Sequence, residues 1–496
     1  MSKGMMKEIG RAAGCILLLA FLSGCSGGSH GEAGDSGKRY PDDGNSRSGP
    51  NVLLIVADDL GRDDLGAHGN DRVLTPHLDR LAGESVCFGQ FLVTPVCATT
   101  RASLLTGRHF LRTGVSHVHG GKDFLHLDET TLAETLQKAG YATGMWGKWH
   151  SGKTEGYYPW QRGFEEAFMA RLYQYRDNLG LHNGHPEQTE GWVTRVLTDQ
   201  AIRFIGDHRQ DPFFAYIPYL TCHTPLDAPE EYIRPYLEAG LSEKLATLYG
   251  MVTHMDHHIG RLLSALEKLG LEENTVVLFM SDNGPAILNG QLTPRDREIR
   301  YVSGMRGHKG NIWENGIRSP LFVRWKGSFQ PGLTEHLADV TDLFPTIAEL
   351  AGVAPVSLDS LHLDGQSLMP LLKESGATPE EKYTFLYANP GWPPTDRPWS
   401  PEGVKDEYRP WKHADGDALA YKKQIIGVRG ERYKLLRNPG PAGGTIRADS
   451  AGRVLLDLSE DPRESRNLAD SLPTLLLSLE ERLKEWYGSV LEAPHA

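Results

Sequence analysis

A chain of 496 residues with 39% hydrophobic and 23% charged side chains carries enough apolar material for a large core and sits within the range of ordinary globular proteins. Its formal charge of -12, from 52 basic and 64 acidic residues, argues against nucleic acid as a partner, because a phosphate backbone calls for a basic face. An anionic ligand must therefore be met by a local group of cations, not by the field of the whole molecule.

The N-terminus reads as an export signal. Lys3, Lys7 and Arg11 precede the apolar run "AAGCILLLAFL", which is too short to span a bilayer. It closes on "LSGC", and small residues before a cysteine at such a boundary resemble a bacterial lipobox. The expectation is a signal peptide over residues 1–24 and a lipid attached to Cys25. Residues 25–50, rich in Gly, Ser, Asp and charge, then form a flexible tether. The protein is thus expected to be an exported lipoprotein, at the periplasmic or cell-surface side, touching the membrane through its lipid alone. Past the tether only Cys87, Cys97 and Cys222 remain, too few for a disulfide scaffold.

Four later segments share one pattern. "NVLLIVADDLG" is a continuous apolar run ending in Asp58 and Asp59, and "YATGMWGKWH" ends in Lys148 and His150. "PFFAYIPYLTCHTP" ends in Cys222 and His223, and "NTVVLFMSDNG" ends in Asp282 and Asn283. Continuous rather than alternating runs suit parallel strands buried on both faces. Helical patterns fall between them. Thr131 and Glu134 form a capping box opening a short helix that stops at Gly140. Across residues 241–269, Leu248, Val252, Met255, Ile259, Leu262 and Leu266 recur at helical spacing. The expected fold is α/β, a large mixed and mostly parallel sheet sandwiched by helices, with ligands at the carboxyl ends of the strands. After about Lys373 a Pro-rich loop, the short strands "IIGVRGERYKLLRN" and "RVLLDLSEDP", and a closing amphipathic helix predict a smaller C-terminal α+β subdomain over residues 374–496.

Asp58, Asp59, Asp282 and Asn283 offer oxygen donors only, which suits Ca²⁺ in preference to Mg²⁺. The thiol of Cys97, in "TPVCATTRASLLTGRH", is a poor ligand for such an ion and needs an explanation. His254 and His258 share one helical face but lack the glutamate of a zinc-protease motif, so they read as packing or surface residues.

The ordered segments "LLIVADDLG", "CATTRASLLTGR", "GKWH", "HTP", "SDNG" and "RGHKGNIWENGIRSP", with "DLSEDPRESRNLA" near the end, resemble the sulfatase family of the alkaline-phosphatase-like superfamily. The resemblance runs from Asn51 to about Leu468 and makes residues 51–373 the catalytic domain. It implies that a maturation enzyme oxidises Cys97 to formylglycine, whose hydrate carries two hydroxyls and so joins the calcium ligands. One hydroxyl attacks the sulfur of a sulfate ester and the other later expels sulfate. By the same resemblance Arg101 stabilises the hydrated aldehyde, and Lys148 and His150 sit over it, His150 as base. His223 and Lys309 bind sulfate and help protonate the leaving oxygen. The substrate is a sulfated small molecule or, more specifically, a sulfated carbohydrate. Two other readings remain open: a phosphonate or phosphate diester hydrolase of the same superfamily, and an inactive tethered glycan-binding protein.

Two positions depart from the family pattern. Thr99 replaces a Pro or Ala read by the maturation enzyme, and Asn315 replaces a Gly at which left-handed backbone is expected. Trp160, Trp392, Trp399 and Trp411 lie on Pro-rich stretches, where they serve either to stack on sugar rings or to pin loops.

Overall fold

The computed structural model describes residues 49–286, 292–373, 381–389, 420–440 and 446–493. The signal peptide, Cys25, nearly all of the tether, and Trp392, Trp399 and Trp411 lie outside them. No helix among the described residues is long and apolar enough to cross a membrane.

Among the described residues ten strands form one sheet. In chain order they are β1 (Asn51–Ala57), β2 (Val86–Leu92), β3 (Ala142–Gly147), β4 (Glu166–Met169) and β5 (Leu179–His182), then β6 (His185–Gln188), β7 (Phe213–Pro218), β8 (Thr275–Ser281), β9 (Leu321–Trp325) and β10 (Gly332–Asp339). Their spatial order is β10-β2-β9-β8-β1-β7-β3-β4-β5-β6. The central strand β1 runs parallel to both neighbours, β7 and β8. Parallel pairing continues through β3 to β4, whereas β9 and the β5–β6 hairpin are antiparallel. The sheet is mixed and mostly parallel, as its uninterrupted apolar runs predict.

All seven residues of β1 are buried, and the period of two sorts them. Leu53, Ile55 and Ala57 enter the core on one face, Val52, Leu54 and Val56 the core on the other. Helix Glu243–Lys268 covers the first face with the six apolar residues of its predicted stripe, capped by the Ser242 side chain. Helices Leu132–Lys138 and Leu343–Leu350 cover the second. The Thr131 capping box is present: Glu134 N–H donates to Thr131 Oγ1 at 3.1 Å, and Thr131 N–H donates to Glu134 Oε2 at 2.7 Å. Gly140 follows the helix with φ of 85°, the left-handed stop a Cβ would oppose.

A second, antiparallel sheet takes the order β11 (Thr384–Ala388), β12 (Ile425–Arg429), β13 (Tyr433–Arg437) and β14 (Arg453–Asp457). The reading of this region from sequence missed β11, which immediately precedes the Pro-rich run. With helix Pro473–Glu492 this sheet builds a third core, and Cys97, Ala98 and Ala102 belong to it. The C-terminal sheet and the Cys97 helix thus share one apolar core.

Candidate active site

The polar clusters converge where the parallel strands end. Asp58 and Asp59 follow β1, Lys148 and His150 follow β3, His223 comes after β7, and Asp282 and Asn283 follow β8. Cys97 is the first residue of a ten-residue helix, Cys97–Thr106, in which every residue is buried. Asp59 and His150 hold φ of 65° and 60°, a region that residues with a Cβ enter at a cost and that recurs at functional sites. Asp58 N–H donates to Thr221 O at 2.7 Å and Asp282 N–H to Ala57 O at 3.0 Å, which lashes three strand ends together.

Ligand atoms of Asp58, Cys97 and Asp282 all lie within 4.8 Å of one another. Cations surround them. Lys148 Nζ donates to both carboxylate oxygens of Asp58, at 2.8 and 2.7 Å. Lys309 Nζ donates to Asp59 Oδ1 at 2.6 Å, and His223 Nε2 lies 3.7 Å from Asp59 Oδ2. Arg101 donates through Nε and Nη2 to Asp282 Oδ2, at 3.0 and 2.6 Å, and through Nη1 to the Lys148 carbonyl at 2.9 Å. Its guanidinium thus braces Asp282 and the Lys148 backbone, and its charge lies within electrostatic reach of Cys97.

Burial pushes the Asp58 carboxyl up to about 7 in spite of Lys148, with Asp282 and Asp59 adding to the rise. At Asp59 burial acts in the same direction but Lys309 and His223 outweigh it and hold the group below the usual carboxylate range. Two oxygens are buried without a hydrogen-bond partner, Asp59 Oδ2 and Asn283 Oδ1. Unspent lone pairs beside two further carboxylates fit a hard cation. The Cys97 sulfur does not fit one, whereas oxygen in its place would.

His150 Nε2 donates to Val118 O at 2.9 Å, which leaves the Nδ1 lone pair facing Cys97 Sγ at 3.4 Å. Burial, then the charge of Lys148, pushes His150 well below the ordinary histidine range, so its ring is neutral. His223 Nδ1 donates to Thr224 O at 2.6 Å, leaving Nε2 toward the pocket.

Behind the site, helix Glu314–Ile317 acts as a plate. Gly284 N–H donates to Gly316 O at 3.1 Å, and a Cβ on Gly284 would meet Asn315 O at 1.8 Å. Asn315 is helical, not left-handed, which corrects the reading of that position. Its Nδ2 donates to Gly307 O at 3.1 Å, tying the plate to the loop that carries Lys309. The plate is anchored in the second sheet. Lys434 Nζ, on β13, donates to Glu314 Oε1 at 2.9 Å and Glu464 Oε1 at 2.8 Å, and Glu314 N–H donates to Glu464 Oε2 at 2.8 Å.

The two helix histidines settle as packing. His254 and His258 are buried with Nε2 atoms 3.0 Å apart, and Arg261 Nη1 lies 3.1 Å from His258 Nδ1. Trp160 stacks on Tyr158, ring centroids 4.7 Å apart and 11° from parallel. Thr99 Oγ1 donates to Val96 O at 2.8 Å inside the Cys97 turn. Residues that sequence reasoning missed also border the pocket: Val118, His119 and Asp123 near His150, and Tyr173 and Tyr175 near His223. No spacing or motif marks them.

Comparison with known proteins agrees with this geometry. The family model described as Sulfatase matches residues 50–353, the span that contains every pocket residue above. Arylsulfatase A of Homo sapiens is 32% identical over 484 aligned residues, covering 87% of this chain and 86% of the relative. N-acetylgalactosamine-6-sulfatase of Mus musculus is 32% identical over 360 residues, covering 65% and 66%. The crystal structure of Ps i-CgsB in complex with k-i-k-neocarrahexaose superposes with a TM-score of 0.72 at 25% identity, covering 90% of this chain and 95% of that one. With strand ends, cations and carboxylates falling inside the matched span, the chain belongs to the sulfatase family and is an arylsulfatase-like hydrolase of sulfate esters.

Proposed function

We propose that this sulfatase acts on sulfate esters of carbohydrate hydroxyls, with formylglycine made from Cys97 and a calcium ion held by Asp58, Asp59, Asp282, Asn283 and the matured residue 97. The observation that carries the reading is the pair of orphaned oxygens, Asp59 Oδ2 and Asn283 Oδ1, beside a buried thiol ringed by carboxylates and cations. When present, the hydrated aldehyde supplies an oxygen nucleophile and the ion supplies Lewis acidity.

The chain's own residues account for the remaining chemistry. Neutral His150 presents a lone pair at the atom it faces on residue 97, and its Val118 bond fixes the ring for taking a proton there. Lys148 and Lys309 put two ammonium groups beside the carboxylates, the local positive charge that an anionic ester requires in a protein of net charge -12. His223, with Nε2 turned to the pocket and its side chain 19% exposed, is placed to meet the leaving oxygen at the solvent side. Arg101 holds Asp282 in position.

The carbohydrate assignment draws on a relative named for an amino-sugar sulfate and on a fold neighbour in complex with an oligosaccharide. The lipobox-like "LSGC" supports export and anchoring through Cys25. The test sets rates on sulfated sugars beside rates on matched phosphate esters and phosphonates, with calcium counted by elemental analysis. Sulfate esters should lead, with about one calcium per chain, lost with activity in Asp282→Ala. Faster phosphonate turnover, or active protein without calcium, defeats the reading.

A further inference from the structure

One aromatic ring at the mouth of the pocket has no part in the sulfate chemistry. Tyr173 lines the cavity together with Asp58, Lys148 and His223, and it is 37% exposed. Its ring centroid stands 5.2 Å from that of His223. The phenol lies within electrostatic reach of Lys148, Cys97 and Asp58.

The backbone of Tyr173 is held at φ of 67°, where a bulky side chain is rarely found. Such a conformation persists only when its surroundings over-determine it, and it concentrates at functional positions. The surroundings do so here. Asn178 is fully buried, and its Oδ1 accepts from Arg171 N–H at 2.9 Å. Its Nδ2 donates to Arg171 O at 2.9 Å and to Gln174 O at 2.7 Å, so one side chain grips the loop on both sides of Tyr173. The Tyr175 hydroxyl reaches Leu220 O at 2.7 Å and His223 O at 2.5 Å, seating the loop on the turn that carries His223. A strained, clamped backbone therefore places an aromatic ring at the pocket mouth, not in a core.

We propose that Tyr173 is the platform on which the ring of the leaving alcohol stacks, which makes this a site for sulfates of cyclic alcohols, pyranose or aryl, over sulfates of open-chain alcohols. This rests on the sulfate-ester reading above. With the sulfate drawn toward the lysines, the alcohol points outward, and a flat ring finds the phenol face beside His223. An open alkyl chain has no face to offer.

The test uses the mature holoenzyme with Tyr173→Asn and Tyr173→Phe. Asn accepts left-handed backbone better than Tyr, so Tyr173→Asn should unfold no earlier than the wild type, and loss of binding cannot be blamed on misfolding. For p-nitrophenyl sulfate, Tyr173→Asn should raise KM about tenfold and leave kcat within about threefold, whereas Tyr173→Phe should stay within about twofold of wild type in both. Inhibition constants for ethyl sulfate and inorganic sulfate should not move. An unchanged KM in Tyr173→Asn overturns the platform. So does an equal weakening of ethyl sulfate, or a Tyr173→Phe that behaves like Asn. Wild-type protein that turns over no sulfate ester overturns the sulfate reading and the platform together; turnover with unaltered KM overturns the platform alone.

Discussion

Lys434 offers the sharpest test of how the second sheet supports the catalytic pocket. Its side chain is wholly buried between Glu314 and Glu464, whose side chains are 1% and 0% exposed. Replacing Lys434 with Met removes the cation and leaves two carboxylates that share one site. The nearest remaining cations pair with Glu314, Arg429 Nε at 3.5 Å and Arg318 Nη1 at 3.8 Å, and Arg429 bears on Glu464 only through its field. Breaking a buried pair by deleting one partner costs about 3–5 kcal/mol, much of it the stranded charge. The double variant Lys434→Met/Glu464→Gln removes that charge while keeping an acceptor for Glu314 N–H, so it should recover about 2 kcal/mol of the loss. Denaturant unfolding of wild type, single and double variants in calcium buffer measures the cycle. Because Gly316 O receives the Gly284 N–H next to Asn283, calcium affinity should fall with the single variant and partly return with the double. A single variant within about 1 kcal/mol of wild type, or a double no better than the single, refutes the reasoning.

Three further outcomes are expected. Cys97→Ser and Cys97→Ala should each lose turnover by at least about a thousandfold while keeping the wild-type melting profile, and peptide mass spectrometry across residues 96–101 should find aldehyde in place of thiol; active protein carrying only thiol contradicts this. Burial pushes His258 down to about 3 and His254 down to about 4, so the fold favours neutral rings. Their contribution is complete above the unfolded value of about 6.5 and shrinks as pH falls below it, by about 2 kcal/mol per ring at pH 5; His258→Gln should flatten the decline of stability between pH 7 and 5, and an unchanged slope counts against it. Wild-type protein should fractionate with membranes and be released by detergent but not by salt, and Cys25→Ser should move it to the soluble fraction.

Much of the pocket was legible because parallel strands advertise their ends. In β1, β3, β7 and β8 an apolar run stops and an acidic, basic, histidine or asparagine side chain follows within a few positions, and topology brings such ends together. The Thr131 box and the Glu243–Lys268 stripe were equally readable, since each is a local pattern with a fixed period. What stayed hidden depends on partners far along the chain. Arg101 answers to Asp282, 181 residues away, and Lys434 to Glu314, 120 residues away. No spacing announces either. Asn315 misled for a related reason: the close approach belongs to Gly284, whose missing Cβ makes room for the Asn315 carbonyl. Tyr173 lies on a loop whose strain exists only in three dimensions.

The burial of residues 97–101 sets an order of events. Cys97 is 2% exposed, Thr99 is 1% exposed, and Ala98, Thr100 and Arg101 are wholly shielded, with Cys97 and Ala98 in the apolar core that the antiparallel C-terminal sheet shares. A macromolecular catalyst that must recognise this stretch finds no surface to grip once the fold has closed. If such a catalyst oxidises Cys97, as proposed above, it must act before the fold closes, in competition with folding. Among the described residues the last strands in the chain, β11 to β14, contribute to the apolar core that Cys97, Ala98 and Ala102 share. On that proposal, the stretch of chain between residue 97 and that sheet would bound how long the cysteine stays readable during synthesis.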